Sequence, residues 1–221
     1  MGLRDRTEGM LVTAGWPRYA AWAIVPLACA GVPGVGAFAA FIYLVALLKV
    51  GRQPFNVMGT LRQPVSWRWI ALALVMAVGI ELAANVALEP LARWVAAQPV
   101  DMSAFGGFEG NWGKLALFLA LSWVSGGLIE ETVFRGFIIG FGQRVFGARW
   151  RWPLALLSAL IFGLSHLYQG TAGVVLTGIT GLLLGAIYLL AGNNLLLVMV
   201  VHGLVDTISM LMLFLGLAGT N

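Results

Sequence analysis

The sequence has little of what a soluble, disulfide-bonded or nucleic-acid-binding protein needs. Charged residues make up only 10% of its 221 residues, whereas soluble domains carry about 25%. The single cysteine, Cys29, excludes an internal disulfide and a cysteine-rich metal site. The net charge of +4 sits in short hydrophilic joints, which does not indicate nucleic-acid binding. No cleavable signal peptide is predicted, because Gly2–Arg18 is too polar and the apolar run after it is too long.

Apolar residues dominate instead. They make up 60% of the chain, and the mean hydropathy is +0.92. Several apolar runs of about 18 or more residues predict a polytopic membrane protein. We therefore predict an all-α transmembrane bundle of roughly six to eight helices. The simplest count is a single membrane domain over residues 1–221, with motif-free spans in 1–112 and the catalytic helices in 113–217.

The apolar runs place the spans. Five are predicted at Ile70–Ala97, Lys114–Phe141, Pro153–Tyr168, Val174–Leu190 and Leu195–Leu217. The first apolar stretch, Ala20–Val50, would be about 46 Å long as a helix, too long for an untilted crossing of a core of about 30 Å. Because Gly31–Gly36 lies in its middle, this stretch is either one long, kinked helix or a hairpin of two segments.

Charge asymmetry predicts the orientation. Arginines cluster in the joints Gly51–Trp69 and Gln143–Trp152, so the positive-inside rule places both in the cytoplasm. The loop 99–113, with Asp101 and Glu109, then lies outside. The basic start, Met1–Arg18, is cytoplasmic only if Ala20–Val50 crosses twice.

Two adjacent carboxylates and an arginine interrupt the run that starts at Lys114. Ionisable groups at membrane depth cost about 2.5–3.5 kcal/mol each on insertion scales and are usually functional. Glu131 and Arg135 are four residues apart, so they share a helix face and can pair. Glu130 points about 100° away and lacks that partner. A free Glu130 carboxylate beside the Glu131–Arg135 pair could serve as a buried general base. The alternative is a structural ion cluster without a catalytic role.

The only two histidines also lie in apolar spans. His202 precedes Asp206 by four residues, so the two share a helix face. At 1.5 Å per residue, Glu130, His202 and His166 lie about 15, 12 and 21 Å into their spans. These three groups can therefore meet within the membrane, nearer the cytoplasmic face.

The polar residues form three patterns in order along the chain: Glu130-Glu131-x-x-x-Arg135-Gly136, Phe162-x-x-x-His166 and His202-x-x-x-Asp206. These patterns resemble the successive signatures of the CAAX protease and bacteriocin-processing family, also called Abi proteins, which are intramembrane endopeptidases. The resemblance covers about residues 114–210. One departure is Asp206, where many relatives have asparagine.

The resemblance implies a role for each residue. Glu130 with His166 activates water for attack on a peptide carbonyl, which requires a positioned base. His202 and Asp206 face the oxyanion, which requires preorganised donors. An ionised Asp206 cannot donate to it, so this group either orients and charges His202 or is protonated. Glu131 and Arg135 hold the motif helix.

The resemblance also implies the surroundings. We expect an integral protein of a prokaryotic cytoplasmic membrane, with its active site nearer the cytoplasmic side. The substrate would be a peptide or protein with a prenyl group or hydrophobic segment, met within the lipid bilayer. No cofactor and no nucleic acid are expected.

Three alternatives stay open. His166, His202 and one of Glu130 or Asp206 would make a two-histidine, one-carboxylate site for a divalent metal such as Zn²⁺. Family members are often labelled metalloproteases, although the H-E-x-x-H motif is absent here. A non-catalytic protein of similar fold, for bacteriocin immunity or scaffolding, is the second alternative. A transporter or proton relay is the third, but neither paired broken helices nor an inverted repeat is visible.

A few further polar and small residues are candidates for packing roles. Glu81 and Asn85 either line the cavity or form helix–helix hydrogen bonds, the more frequent use of such residues. Asn193-Asn194 is predicted to cap or turn the chain before the last span. Gly178, Gly181 and Gly185 are predicted to allow close helix packing.

Overall fold

The structure, a computed structural model, describes residues 16–33, 35–50, 58–61 and 64–217. This described part contains seven helices and no strand: α1 Trp16–Gly31, α2 Gly36–Val50, α3 Trp67–Ala96, α4 Trp112–Phe146, α5 Arg151–Ser165, α6 Leu167–Leu190 and α7 Leu195–Phe214. The predicted all-α bundle of six to eight helices is confirmed. Most of the basic start, Met1–Arg18, and much of the joint Gly51–Trp69 lie outside the described residues.

Four helices, α3, α4, α6 and α7, are long and apolar enough to cross a membrane. Large apolar side chains such as Val75, Val78 and Leu82 on α3 are exposed. A helix satisfies its own backbone hydrogen bonds, so such faces can lie against lipid. The chain is therefore an integral membrane protein.

The stretch Ala20–Val50 forms two helices rather than one. α1 ends at Gly31, and α2 begins at Gly36 after a short turn that contains Pro33. The two helices approach closely at Gly36, where a Cβ would lie only 2.7 Å from the Ala28 carbonyl oxygen. With 16 and 15 residues, the arms are about 24 and 22 Å long, each shorter than a hydrocarbon core of about 30 Å. Of the two predicted forms, the hairpin is the one observed.

The predicted boundary between the spans Pro153–Tyr168 and Val174–Leu190 was wrong. α5 ends at Ser165, and His166 has non-helical backbone angles (φ −101°, ψ 19°). Leu167–Gln169 forms a 3₁₀ turn that leads into the helix from Gly170. Gly170 has φ +75°, a backbone conformation that favours glycine and lets the chain reverse. His166 therefore lies in a turn between helices instead of inside a span.

α4 runs through the middle of the bundle and is unusually wound. Its segments Ser122–Glu130 and Thr132–Phe141 are π-helical, and every residue of the second segment is buried. π-Helical turns are rare and often occur at functional sites. Glu130 and Glu131 lie where these two segments meet, a feature that the predicted regular helix did not contain.

Small residues and caps hold α5, α6 and α7 together. A Cβ on Gly163 of α5 would lie 2.6 Å from the Val174 carbonyl oxygen, and one on Gly181 would lie 2.9 Å from the Phe162 ring. The predicted close packing at Gly181 is therefore confirmed. Asn194 caps α7 by accepting a hydrogen bond from the Leu197 N–H at 3.0 Å, as predicted.

Contacts between loops define two ends of the bundle. At one end, the Thr60 N–H donates to the Asn193 carbonyl at 2.9 Å, in the turn between α6 and α7. The arginine-containing joint between α4 and α5 lies at the same end by helix direction. At the other end, the Asp101 N–H donates to the Gln169 carbonyl at 2.9 Å, so the loop 97–111 lies against the turn that carries His166.

Candidate active site

One carboxylate oxygen joins two helices at the centre of the candidate site. Glu131 Oε1 accepts from Arg135 Nη1 at 2.6 Å and from His202 Nδ1 at 2.6 Å. Glu131 and Arg135 are completely buried. The predicted contact between Glu131 and Arg135 is confirmed. The contact with His202 was not predicted, because it joins residues 71 positions apart in the sequence.

Arg135 extends this connection to two more helices. Its Nη2 donates to the Gly181 carbonyl of α6 at 2.8 Å. Its guanidinium carbon lies 4.8 Å from the centre of the Phe162 ring on α5, within the range of a cation–π contact. The buried pair therefore fixes α4 against α5, α6 and α7 at the same level of the bundle.

His202 is buried and presents its second ring nitrogen to Asp206. Because its Nδ1 donates to the Glu131 carboxylate, the Nε2 is the other ring atom and points toward Asp206. Nε2 and Asp206 Oδ1 are 3.6 Å apart, an ion-pair distance that is too long for a good hydrogen bond. Gly126 of α4 faces both groups, and a Cβ there would lie 2.7 Å from Asp206 Oδ2 and 3.4 Å from His202 Nε2. The missing side chain lets α4 pack directly against Asp206 and His202, a close approach that the sequence motifs did not indicate.

Glu130, unlike Glu131, has no hydrogen-bond or ion-pair partner among the described residues. It is only partly buried. It lies within electrostatic range of His202, Asp206 and Tyr168. The prediction that Glu130 lacks the arginine partner of Glu131 is therefore confirmed.

His166 is oriented by the end of its own helix. Its Nδ1 lies 2.8 Å from the Phe162 carbonyl oxygen and 3.2 Å from Ser165 Oγ. Since a carbonyl can only accept, Nδ1 carries the proton, and Nε2 of a neutral ring is left as a base. Sequence spacing gave the pair Phe162-x-x-x-His166 but not this backbone contact.

Two aromatic rings frame the histidines. The Phe162 ring lies 4.7 Å from the His166 ring and 6.0 Å from the His202 ring, measured between centroids. Tyr168 lies 5.8 Å from His166, with an angle of 32° between the ring planes. Phe162 thus brings both histidines to one place. Tyr168 was not predicted, and its only signal was an aromatic residue two positions after a motif histidine.

The alternative metal set is not assembled in this arrangement. Among the residues that the structure describes, no group of three or more His, Cys, Asp and Glu side chains is placed to hold a metal ion. Both Nδ1 atoms are occupied, by the Glu131 carboxylate at His202 and by the Phe162 carbonyl at His166. A metal would have to use the two Nε2 atoms and a carboxylate brought nearer to them.

The comparisons with known proteins agree with the three signatures. Residues 112–208 match the family model described as "Type II CAAX prenyl endopeptidase Rce1-like". No curated protein and no solved structure matches the chain. The matched region contains all six predicted site residues and begins where α4 begins. The match covers slightly less than half of the chain and supports the predicted resemblance to CAAX proteases over the helices that carry the three signatures.

Proposed function

We propose that this protein hydrolyses a peptide bond in a lipidated or otherwise membrane-associated substrate, with a water activated by Glu130 and His166. The observation that carries the proposal is the different state of the two adjacent glutamates. Glu131 is committed to Arg135 and His202, whereas Glu130 has no hydrogen bond in the described chain. A general base needs such a free carboxylate within reach of the site.

The water step uses two groups with complementary orientations. The water oxygen attacks the carbonyl carbon while Glu130 takes a proton from that water. Glu130 later gives the proton to the amine nitrogen that leaves. His166 Nε2 orients the same water, because its Nδ1 is held by the Phe162 carbonyl. A positioned base of this kind contributes typically about 10²–10⁴-fold to the rate.

The oxyanion step uses His202. Glu131 accepts a hydrogen bond from His202 Nδ1, and in this step the doubly protonated ring donates to the oxyanion from Nε2, which faces Asp206 and Gly126. A donor fixed in advance stabilises the tetrahedral oxyanion without reorganisation at the moment of reaction. Asp206, 3.6 Å from Nε2, orients and charges the ring from its other side.

The family match supports the substrate class. A prenyl group or hydrophobic segment would stay in the bilayer while the peptide bond reaches the buried site. We propose that the protein works in the cytoplasmic membrane of a prokaryote and that no cofactor takes part. A metal site made of His166, His202 and a carboxylate is the competing proposal, and chelation tests it.

The experiment is cleavage of a farnesylated peptide with a C-terminal CAAX sequence by purified protein in detergent. We expect the wild type to release the last three residues, and Glu130→Ala to lose at least about 100-fold in kcat while staying folded. The matched control is Glu89→Ala, which removes a partly exposed glutamate on α3. No cleavage of lipidated or hydrophobic peptides by the wild type, or wild-type cleavage by Glu130→Ala, would overturn the proposal.

A further inference from the structure

Glu81 is a second buried carboxylate, and it lies outside the segment that matches the family. It sits in the middle of α3 and is only 9% exposed. Within the part of the chain that the structure describes, no basic side chain pairs with it. An unpaired acid inside a membrane span is costly and usually functional. Glu81 has no part in the proposed proton transfers.

The contacts of Glu81 join α3 to α7. Ser209 Oγ donates to Glu81 Oε1 at 2.9 Å and to Oε2 at 3.0 Å. Asn85 Nδ2 donates to Glu81 Oε1 at 3.1 Å and to the Glu81 backbone carbonyl at 2.8 Å. Asn85 belongs to a π-helical turn, Ala84–Leu88, that directly follows this part of α3. Asn85, which lies in this π-helical turn, therefore helps to hold the Glu81 carboxylate toward Ser209.

Ser209 belongs to the polar face of α7 that carries the catalytic candidates. His202, Asp206 and Ser209 follow each other at spacings of four and three residues, so they lie on one helix face. The distance along the axis from His202 to Ser209 is about 10 Å. Glu131 holds the His202 end from α4, and Glu81 holds the Ser209 end from α3. Asp206 lies between them, within electrostatic range of Glu81.

Two directional contacts on one helix restrict it more than one contact does. In lipid, apolar packing does not strongly favour one rotation of a helix over another, and hydrogen bonds between helices are part of what selects it. On one side, α4 holds α7 through Glu131 and His202 and through Trp123 Nε1–H, which donates to Thr207 Oγ1 at 3.2 Å. The contact between Glu81 and Ser209 holds α7 from a different helix, α3. Because this second point of attachment lies about 10 Å from His202 along the axis, it restricts rotation of α7 further.

We propose that Glu81 is a positioning residue of this active site, which through Ser209 fixes the rotation of α7 that presents His202 and Asp206. The kinetic consequence rests on the proposed protease function. The placement of His202 does not, so it can be measured separately.

The kinetic test compares substitutions that remove the contact with substitutions that keep it. Glu81→Leu and Ser209→Ala should each lower kcat about 10- to 100-fold with little change in KM, because small misplacements have effects of this size. Glu81→Gln and Ser209→Thr keep an acceptor and a hydroxyl, and they should keep kcat close to wild type. Glu89→Leu, at a partly exposed position on the same helix, is the matched control.

A double substitution tests whether the two residues act through each other. If they do, Glu81→Leu combined with Ser209→Ala should lower kcat no further than the worse single substitution. Additive losses would show two independent roles and overturn the proposal.

The spectroscopic test uses the fact that the sequence has only two histidines. Protein labelled with ¹⁵N-histidine gives ring signals from His166 and His202 alone, which His166→Ala and His202→Ala assign. Glu81→Leu should shift the His202 ring signals and leave those of His166 in place. A general loss of stability would not select one histidine in this way.

The outcomes separate this inference from the proposed function. An unchanged His202 signal in Glu81→Leu overturns the inference, whatever happens to kcat. Wild-type kcat in that variant overturns it as well. If the wild type cleaves nothing, the proposed function fails, and the His202 signal still decides the positioning role. If Glu81→Leu does not fold, Ser209→Ala, which removes one hydroxyl, decides by the same two measurements.

Discussion

The two long helices on either side of residue 112, α3 and α4, are held by different interactions. In α4, every residue of Thr132–Phe141 is buried, and polar contacts join it to α5, α6 and α7. In α3, only four small or apolar residues and Glu81 are buried, while most side chains face outward. The later helices enclose the chemistry, and α3 supports them from the lipid side through one polar contact. Charged residues should therefore matter greatly in α4 and little in α3, with Glu81 as the exception.

The two ion pairs at a four-residue spacing give the largest expected difference between these regions. Arg135→Ala leaves Glu131 buried without its cation, which should lower the free energy of unfolding by about 3–5 kcal/mol and abolish activity. Arg93→Ala breaks the exposed pair with Glu89, 3.4 Å apart, and should change stability by about 0.3–0.5 kcal/mol. Thermal unfolding in detergent measures both.

Equal stability of the two variants would contradict this difference between the regions. Arg135→Ala with normal stability and lost activity would instead give the buried pair a direct part in catalysis. Glu131→Gln provides the second test, because it also removes the partner that holds His202 Nδ1.

Two glycines give the next largest contrast. Gly126→Ala should lower kcat by at least about tenfold, because its methyl group would displace Asp206 or His202 from the site. Gly79→Ala on α3 is the control, since nothing lies within 4 Å of a Cβ at that position. The control should leave kcat unchanged and stabilise α3 by about 0.5–1 kcal/mol. Normal kcat in Gly126→Ala would show that the reaction does not depend on the close packing of α4 against Asp206 and His202.

Asp206 separates the two competing mechanisms with a smaller effect. As a group beside the oxyanion it can be replaced by asparagine, a neutral donor of the same shape, so Asp206→Asn should keep most of the activity. Wild type and variant should both resist prolonged chelation, with well under one metal per chain by elemental analysis. An inactive Asp206→Asn variant together with stoichiometric metal in the wild type would establish the metal mechanism and leave the protease assignment in place.

The smallest effect is expected in the loop between α3 and α4. Hydrogen bonds from Ser103 lower the pKa of Asp101 below its usual value of 3.8. A carboxyl with a lowered pKa stabilises the folded state above its unfolded pKa, and this contribution is lost as the pH falls through the folded value. Asp101→Asn should therefore reduce the loss of stability as the pH falls below the usual pKa of 3.8, measured by thermal unfolding. An identical pH profile in the variant would exclude this contribution.

Sequence alone predicted what helix geometry controls. The pair Glu131–Arg135, the shared face of His202 and Asp206 and the cap at Asn194 all follow from spacings of three or four residues. The contact between Glu131 and His202 depends on how α4 packs against α7, which no local spacing contains. His166 was placed inside a span because its neighbours are apolar, and the turn depends on the backbone of Gly170.

The π-helical winding of α4 was not predictable for a related reason. Its hydrophobic pattern fits an ordinary helix. The wide turns occur both in Ser122–Glu130, which is partly exposed, and in Thr132–Phe141, which is buried throughout. Glu81 shows the opposite case. Its residue type and spacing to Asn85 indicated a polar contact, but only packing identifies Ser209 as the partner on α7.

The close approach of Gly126 to Asp206 has an evolutionary consequence. No side chain fits at position 126 while a residue as long as aspartate or asparagine occupies position 206 in this rotamer. Relatives with a larger residue at the first position should therefore carry a shorter one at the second, so the two columns of an alignment should covary. Because the second position borders the oxyanion side of the proposed reaction, relatives without this glycine should cleave more slowly unless the second position has changed with it.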